Sequence, residues 1–471
     1  MCCRDEKRVW PLKGASKKKG GVKMLRILGM RRMLAATIMG CLLGLYFWGF
    51  SQEKITITIQ TYWRSTESTP RFIEQVLIPE FAKRYPNVEV KLVYVPGGEL
   101  LPTILMQAAS GTLPEIIMAD NPWVPQLIEA GVFKDITREV MAALDWSDFF
   151  EGHRLVTSKD GRIYALQLHT NNLALFYRKS LLEKAGVDKV PATWDELLEA
   201  CEKIKATLGI YGFVMYAAAD EAGTWQFEPF LWTNGGSLLE LDQPEAIEAL
   251  QFLTTLVERG YMPRDVVNVT DQGDVTVRWF LTGEAAMMIN GNWEFGWHLT
   301  PDVLQQLGDV GVAPIPVPKE GLKPIVPFGG ECFGIASTID PQKFAIAWEF
   351  IKLWFVEKIG EYYQWSGHIP TRASYTHMVW EAQPLQRPFL EQAQYALPRP
   401  LMGGIEKYPN VSMETILAVQ KALTGIQTPQ QAFIEAANKI RSLFTPEEYE
   451  MYRKMARDIL DQTRARMLAG G

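Results

Sequence analysis

The chain has 471 residues, 47% of them hydrophobic, which is more than a single core needs, so we expect two domains or lobes. Residues 52–471 hold 37 Lys and Arg against 52 Asp and Glu, because eleven of the 48 basic residues fall within 1–51. This acidic balance argues against nucleic acid, or an anionic membrane surface, as the partner of the body of the protein.

The first 51 residues have the pattern of an export segment. A basic stretch ends at residue 32, and the apolar run MLAATIMGCLLGLYFWGF follows over residues 33–50. Small residues at positions 49 and 51 fit a cleavage before Gln52, which favours a signal peptide. The run is also long enough for an uncleaved membrane anchor. Because the basic side stays in the cytoplasm in both cases, we expect a periplasmic or cell-surface protein.

The next elements alternate between strand and helix patterns. Residues 55–59 alternate Ile with Thr, and residues 88–95 alternate again, as in strands. Apolar residues recur at mostly helical spacing over 71–85 and over 101–108. A short apolar strand at 115–119 completes the series strand–helix–strand–helix–strand, which is typical of an α/β sheet.

Capping signals predict several later helices. Thr193 opens a capping box, and Asp242 and Asp340 precede two further helical patterns. Thr428 followed by proline opens another helix near the end. The proline-spaced segment 312–318 must be extended, which fits a crossover between lobes.

The sequence lacks the motifs of the common catalytic classes. It contains no Gly-x-Ser-x-Gly, no Gly-x-x-x-x-Gly-Lys and no Gly-x-Gly-x-x-Gly. Its five histidines have no zinc-motif spacing, and Cys201 and Cys332 are too far apart for a metal motif. We therefore predict no metal, no cofactor and no catalytic residue, and we expect both thiols to lie in a core.

Tryptophans beside amides and carboxylates are the most distinctive feature that remains, as in the stretch NGNWEFGW at 290–297. A pyranose packs its C–H face on an aromatic ring and offers its hydroxyls to amides, carboxylates and guanidinium groups. Each such hydrogen bond contributes about 0.5–1.5 kcal/mol net, so a site needs many of them. This pattern favours a sugar ligand. As alternatives, Asp120 could cap the next helix and Asn171-Asn172 could form a turn.

An ordered series of motifs resembles the extracellular solute-binding proteins of ABC importers, in the branch that includes maltose- and other sugar-binding proteins. The motifs are FAKRYPNVEVKLVYV (81–95), AASGTLPEII (108–117), GRIYALQLHTNNLALFYRKSLL (161–182), PATWDEL (191–197), LWTNGG (231–236), FLTGEAAMMINGNW (280–293) and GHIPTR (367–372). The resemblance rests on their order along nearly the whole chain.

The resemblance implies an α/β fold of the two-lobed periplasmic-binding-protein type, with hinge crossovers and a ligand cleft between the lobes. The crossovers would lie near 164–170, 310–316 and 366–374. Lobe 1 would comprise 52–168 and 315–368, and lobe 2 would comprise 169–314 and 369–471, after a signal peptide or membrane anchor at 1–51. Such a protein carries a carbohydrate ligand to the transmembrane permease subunits of an ABC transporter and is not an enzyme. We expect a monomer.

Carried over position by position, the resemblance implies fourteen ligand-binding residues. They are Trp63, Arg64, Asp120, Asn121, Trp123, Asn171, Asn172, Trp225, Glu228, Trp232, Asn292, Trp293, Glu331 and Arg372. Some members of the family have a tryptophan directly after the Gly-Gly pair at 329–330. This chain has Glu331 there, which replaces a stacking surface by a charge.

Two other functions stay open from the residues alone. A secreted glycoside hydrolase also needs tryptophans, together with two carboxylates that face one bond, for which Glu228, Glu294 and Glu331 are available. The same fold could instead bind a polyamine or a peptide, because acids are among the candidate residues. We also predict that no disulfide joins Cys201 to Cys332, since they fall in different predicted lobes.

Overall fold

The computed structural model describes residues 54–269, 274–378, 383–393, 395–401 and 406–469. The predicted signal peptide or anchor at 1–51 lies outside the described residues. Within the described ranges, every helix is too short or too polar to span a bilayer.

The first of two main sheets has five strands. In spatial order they are Val88–Tyr94, Ile55–Thr61, Ile116–Asp120, Glu331–Ile335 and Ala165–Gln167. The first three are parallel, and Glu331–Ile335 is antiparallel to both of its neighbours. The strand predicted at 55–59 is confirmed, with Ile57 and Ile59 fully buried.

Helices cover this first sheet. They are Ser68–Phe72, Ile78–Arg84, Gly97–Ser110, Val124–Glu129, Thr137–Ala143, Glu151–Thr157, Pro341–Lys352 and Ile359–Ser366. The helix predicted at 71–85 is interrupted by a wider π-helical turn, Ile73–Leu77. Pro79 follows this turn. Because proline has no N–H to donate to a carbonyl oxygen of the preceding turn, the helix widens at this point. A second π-helical turn, Leu353–Glu357, follows Pro341–Lys352.

The second sheet has four strands. In spatial order they are Val310–Ala313, Leu173–Arg178, Ala285–Gly291 and Tyr211–Val214. Its two faces pack into different apolar clusters: Leu173 and Leu175 belong to one, and Ala174 and Phe176 belong to the other. Because side chains of a strand alternate between faces, a sheet covered on both sides reads as a continuous apolar run.

Helices cover both faces of the second sheet. They are Lys179–Lys184, Trp194–Leu208, Glu221–Asn234, Pro244–Glu258, Asp274–Thr282, Glu294–Trp297, Pro301–Leu307, Arg387–Ala393, Tyr408–Leu423, Pro429–Ser442 and Pro446–Ala469. The predicted caps Thr193, Asp340 and Thr428 are confirmed, each accepting a hydrogen bond from backbone in the first turn. The cap predicted at Asp242 is wrong, because the proline at position 244 starts the helix one residue later and Gln243 is its N-cap.

Short elements complete the described chain. The 3₁₀ turns are Asn121–Trp123, Trp146–Asp148, Arg264–Val267, Ala373–Tyr375 and Pro384–Gln386. The short strands are Ser158–Lys159 paired with Arg162–Ile163, and His169–Thr170 paired with Ile369–Pro370.

The chain crosses between the sheets at 168–172 and at 314–330, and the pair His169–Thr170 with Ile369–Pro370 lies beside the first of these segments. The second crossover differs from the predicted one at 310–316, because Val310–Ala313 is a strand of the second sheet. Ile315 and Ile325 pack in the core of the second sheet, so the chain joins the first sheet only at residue 331 rather than at 315. The long-range packing of this proline-rich segment is not visible in its local sequence.

Candidate functional site

A cavity of about 590 Å³ lies between the two sheets, beside the crossovers, and we call it the first cavity. One side is formed by the loops that follow Ile55–Thr61 and Ile116–Asp120. The other side is formed by the helices Glu221–Asn234 and Tyr408–Leu423. Because the carboxyl ends of parallel strands meet at one edge of a sheet, residues far apart in sequence come together here.

One wall of the first cavity is aromatic. The rings of Trp225 and Trp293 stack with their centroids 5.1 Å apart and their planes at 25°. Trp297 lies 6.1 Å from Trp293, and across the cavity Tyr62 and Trp123 add ring surface. These rings line the first cavity with apolar surface.

The residues next to Trp293 hold it in place. Oδ1 of Asn292 accepts a hydrogen bond from the backbone N–H of Asn172 in the crossover, at 3.1 Å. Position 291 must be glycine, because a Cβ there would lie 1.6 Å from the Trp293 ring. The hydrogen bond of Asn292 therefore holds the stretch NGNWEFGW against the crossover at 168–172. Trp293 and Trp297 of this stretch line the first cavity.

A buried arginine links both sides of the first cavity. Arg399 is 1% exposed, and its guanidinium lies 4.6 Å from the ring centroid of Trp225. Its Nη2 is 3.5 Å from Oδ1 of Asp120 and donates to Oδ1 of Asn121 at 3.2 Å. Its Nη1 pairs with Oε1 of Glu221. Since Asp120 ends a strand of the first sheet and Glu221 begins a helix on the second, Arg399 bridges the lobes.

Burial raises the pKa of the carboxyl groups around Arg399. The pKa of Asp120 rises to about 6 and that of Glu221 to about 7, and the positive charge of Arg399 opposes both shifts. Burial also raises the pKa of Glu228 well above its usual range, although Tyr408 donates to its Oε1 at 3.1 Å. Near neutral pH, Asp120 and Glu221 can therefore act as acceptors or as O–H donors, which suits hydroxyl groups.

A second network forms the floor of the first cavity. The hydroxyl of Tyr62 donates to Oε1 of Glu331 at 2.6 Å, and Oε2 lies against Nε2 of His169. Nδ1 of His169 lies 2.7 Å from the hydroxyl of Tyr362, and the His368 ring lies 3.9 Å from the His169 ring. Burial lowers the pKa of both histidines to about 3, so they are neutral, and burial raises the pKa of Glu331.

The structure brings half of the predicted site residues together at the first cavity. They are Arg64, Asp120, Trp123, Asn171, Trp225, Trp293 and Glu331. Three of them are aromatic and four can exchange hydrogen bonds with a ligand.

The other seven predicted residues are not part of the lining that the described residues form. They are Trp63, Asn121, Asn172, Glu228, Trp232, Asn292 and Arg372. The ring of Trp63 packs 5.6 Å from Phe333, and Trp232 is fully buried in the core of the second sheet. Arg372 donates to the carbonyl oxygen of Phe355 at 3.1 Å. In this structure these side chains make packing or hydrogen-bond contacts, and their part in ligand binding stays a prediction.

Arg399 and Glu221 are central to the first cavity and are not among the residues predicted from the sequence. Arg399 stands between two prolines, and Glu221 follows Asp220, which caps the helix by accepting from the backbone N–H of Gly223 at 3.1 Å. In the sequence, Arg399 is marked by its two flanking prolines, and Glu221 is the second of two adjacent acids at the start of a helix. Among the described residues, no group of His, Cys, Asp and Glu has the arrangement of a metal site.

Known proteins resemble this chain in sequence and in fold. The chain matches the bacterial extracellular solute-binding protein family over residues 65–360. A binding protein of Brucella abortus is 26% identical over 242 residues, which are 47% of this chain and 56% of that protein. The maltotriose-binding protein of Pyrococcus abyssi is 27% identical over 303 residues, which are 62% of this chain and 61% of that protein. Each match therefore covers less than two thirds of the relative's own length.

A solved structure of maltose-bound MalE3 of T. maritima has a TM-score of 0.74 and 28% identity, covering 83% of this chain and 100% of that chain. This likeness confirms the predicted two-lobed α/β fold. The family consists of extracellular solute-binding proteins, which confirms the prediction of a binding protein that is not an enzyme and the periplasmic or cell-surface location. Because the family match spans more than half of the sequence, the chain belongs to the bacterial extracellular solute-binding proteins.

Proposed function

We propose that this protein binds a sugar or oligosaccharide in the first cavity and delivers it to the transmembrane permease of an ABC importer. The observation that carries the proposal is the stacked pair of Trp225 and Trp293 beside Asp120, Glu221 and Arg399. This arrangement matches a pyranose, which has an apolar face and an edge of hydroxyls. The names of the two known proteins support it, since one binds maltotriose and the other holds maltose.

The size of the first cavity and the contacts across it fit capture by closure. Its volume of about 590 Å³ lies within the range of about 300–1,000 Å³ for small-molecule sites. The contact between Arg399 and Asp120 crosses it, and Nε1 of Trp225 donates to the carbonyl oxygen of Pro327 at 3.4 Å. In the proposed mechanism the lobes rotate about the crossovers, and the ligand favours the closed arrangement because it touches both walls only there.

The proposal also covers the oligomeric state and the export of the protein. It acts as a monomer, exported through its N-terminal segment, and is either released by cleavage before Gln52 or held by the apolar run at 33–50. Fractionation of the native host followed by mass spectrometry of the N-terminus distinguishes release from anchoring.

Isothermal titration calorimetry against mono- and oligosaccharides, with a polyamine and short peptides as further ligands, tests the proposed function. We expect saturable 1:1 binding of one class of sugar. Trp293→Ala should weaken that binding at least tenfold, which corresponds to about 1.4 kcal/mol. Trp146→Ala is the matched control, because its ring packs 5.1 Å from Phe149 and is not part of the cavity lining.

Three results would contradict this account. Equal sugar affinity in Trp293→Ala and the wild type would remove the aromatic wall from the site. Binding of a polyamine or a peptide without binding of any sugar would change the ligand class. Release of a cleaved sugar during long incubation would favour the hydrolase.

A further inference from the structure

A second cavity, of about 640 Å³, lies beside the same crossovers. Phe150 and His153 line it from the start of Glu151–Thr157, which packs on the first sheet. Leu390 lines it from Arg387–Ala393, which packs on the second sheet. The second cavity therefore lies between the two lobes, as the first cavity does.

Neighbouring residues of the crossovers face different cavities. Asn171 lines the first cavity, whereas Thr170 and Asn172 line the second. In the same way, His368 lines the first cavity and Ile369 lines the second. Successive side chains of an extended chain point in opposite directions, so the crossovers form a wall with one cavity on each side.

The chemistry of the second cavity differs from that of the first, because none of the lining residues that the structure describes is an acid, a lysine or an arginine. The rings of Phe328 and His153 meet edge to face with centroids 4.8 Å apart. Nε2 of His153 is 2.5 Å from the Thr170 hydroxyl, and burial lowers the pKa of this histidine to about 3, so its ring is neutral.

A hydrogen bond fixes Asn172 within this wall. Its Nδ2 donates to the carbonyl oxygen of Phe389 at 2.9 Å, which fixes the orientation of the amide. Its Oδ1 has no hydrogen-bond partner among the described residues.

We propose that the second cavity binds an uncharged aromatic small molecule, and that its occupancy favours the closed arrangement of the lobes. The rings of Phe150 and Phe328 favour an aromatic ligand, and the described lining, which holds no acid, lysine or arginine, favours an uncharged one. This is the size of cavity that small ligands occupy.

The direction of the coupling follows from the position of the wall. In this structure a contact of 3.5 Å between Arg399 and Asp120 bridges the first cavity, while the second cavity has a volume of about 640 Å³. A rotation about the crossovers that separates Arg399 from Asp120 brings the lobes together on the other side, where the second cavity lies. A molecule in the second cavity resists that rotation, and by linkage it raises the affinity of the first cavity for its ligand. This coupling rests on the proposed function, whereas binding to the second cavity does not.

A fluorescence titration of the full-length protein with N-phenyl-1-naphthylamine tests the site. This probe is uncharged and aromatic, has one N–H, and emits more strongly in apolar surroundings. We expect saturable 1:1 binding that weakens at least tenfold in Ala396→Trp and in Thr376→Trp, which fill the second cavity from two segments. Ala142→Trp places the same ring at an exposed helical position and should leave probe binding unchanged. Circular dichroism confirms that each variant folds.

The outcomes separate this inference from the proposed function. Unchanged probe affinity in both filling variants would overturn the site, and so would loss of probe binding in Trp293→Ala, because the probe would then occupy the first cavity. Once calorimetry has identified the sugar, saturating probe should lower its dissociation constant at least threefold, and an equal or higher constant would overturn the coupling. If no sugar binds, the proposed function fails while the probe titration still decides the site.

Discussion

The substitution Arg399→Met removes the positive charge that lies between the two walls of the first cavity. Methionine is unbranched and adaptable, so it can retain packing against the Trp225 ring, and the change is mainly electrostatic. Arg399 is 1% exposed and faces Asp120 and Glu221, which are themselves largely buried. In the variant these two carboxyl groups lose their counter-ion.

We expect Arg399→Met to lower the free energy of unfolding substantially, because the ion pairs of Arg399 are buried. Removal of one partner of a buried pair costs about 3–5 kcal/mol, since the remaining charge stays away from water, and we expect this loss at pH 8. Arg399 lowers the pKa of Asp120 and Glu221, so its removal raises both above the native values of about 6 and about 7.

The sign of the pH dependence follows from these shifts. A carboxyl group whose pKa is higher in the folded than in the unfolded protein destabilises the fold as the pH rises through that interval. The upward pKa shift of both carboxyl groups is larger in Arg399→Met than in the wild type. The loss of unfolding free energy in the variant therefore grows with pH. At pH 5 both carboxyl groups are protonated in either protein, and the deficit should be smaller.

Urea unfolding of both proteins at pH 5 and pH 8, followed by circular dichroism, measures this deficit. Arg84→Met is the matched control, because Arg84 makes two hydrogen bonds to Glu357, at 2.9 and 2.6 Å, with 46% of its side chain exposed. An exposed pair of this kind contributes about 1 kcal/mol or less. The reasoning is refuted if the deficit of Arg399→Met is as small as that of the control, or if it is equal at the two pH values.

Three further substitutions or assays probe other parts of the structure. Glu228→Gln should change the free energy of unfolding by less than about 1 kcal/mol at pH 7, because burial raises the pKa of this carboxyl and favours the neutral form, which glutamine resembles; a loss of several kcal/mol in urea unfolding would contradict this. Asn292→Ala should lower the free energy of unfolding by about 1–3 kcal/mol, because the buried backbone N–H of Asn172 loses its acceptor; an unchanged unfolding midpoint would argue against this hinge contact. Cys201 and Cys332 are buried free thiols, so a thiol reagent should titrate both after denaturation and neither before; an intramolecular crosslink found by mass spectrometry would contradict this.

Much of the fold is visible in the sequence because local patterns report which faces of an element are buried. The alternation at 55–59 predicts a strand that the structure confirms, and the capping residues Thr193 and Asp340 predict helix starts that it also confirms. The route of the chain between the lobes is less visible. Ile315 lies in the segment 312–318 that is predicted to be extended, yet which of the two cores it joins depends on contacts with distant segments.

The residues of the first cavity could be predicted only in part, because contacts between distant segments are not visible in the local sequence. Trp225 and Trp293 are candidates in the sequence because each stands beside amide and carboxylate side chains, as a sugar site requires. The sequence does not show which way a buried side chain points, so Trp232, six residues after Gln226 on the same helix, is indistinguishable from a cavity residue until the fold is known. Arg399 contacts Asn121 across 278 residues of chain, and no local pattern reports such a contact.

Sugar binding in the first cavity is tested most directly by intrinsic tryptophan fluorescence, because Trp225 and Trp293 are stacked in its wall. The purified protein is titrated with mono- and oligosaccharides, then with a polyamine and short peptides. The account predicts a saturable change with one class of sugar, which is lost in Trp293→Ala and gives no cleaved product. No response to any sugar, together with a saturable response to a polyamine or a peptide, would contradict it.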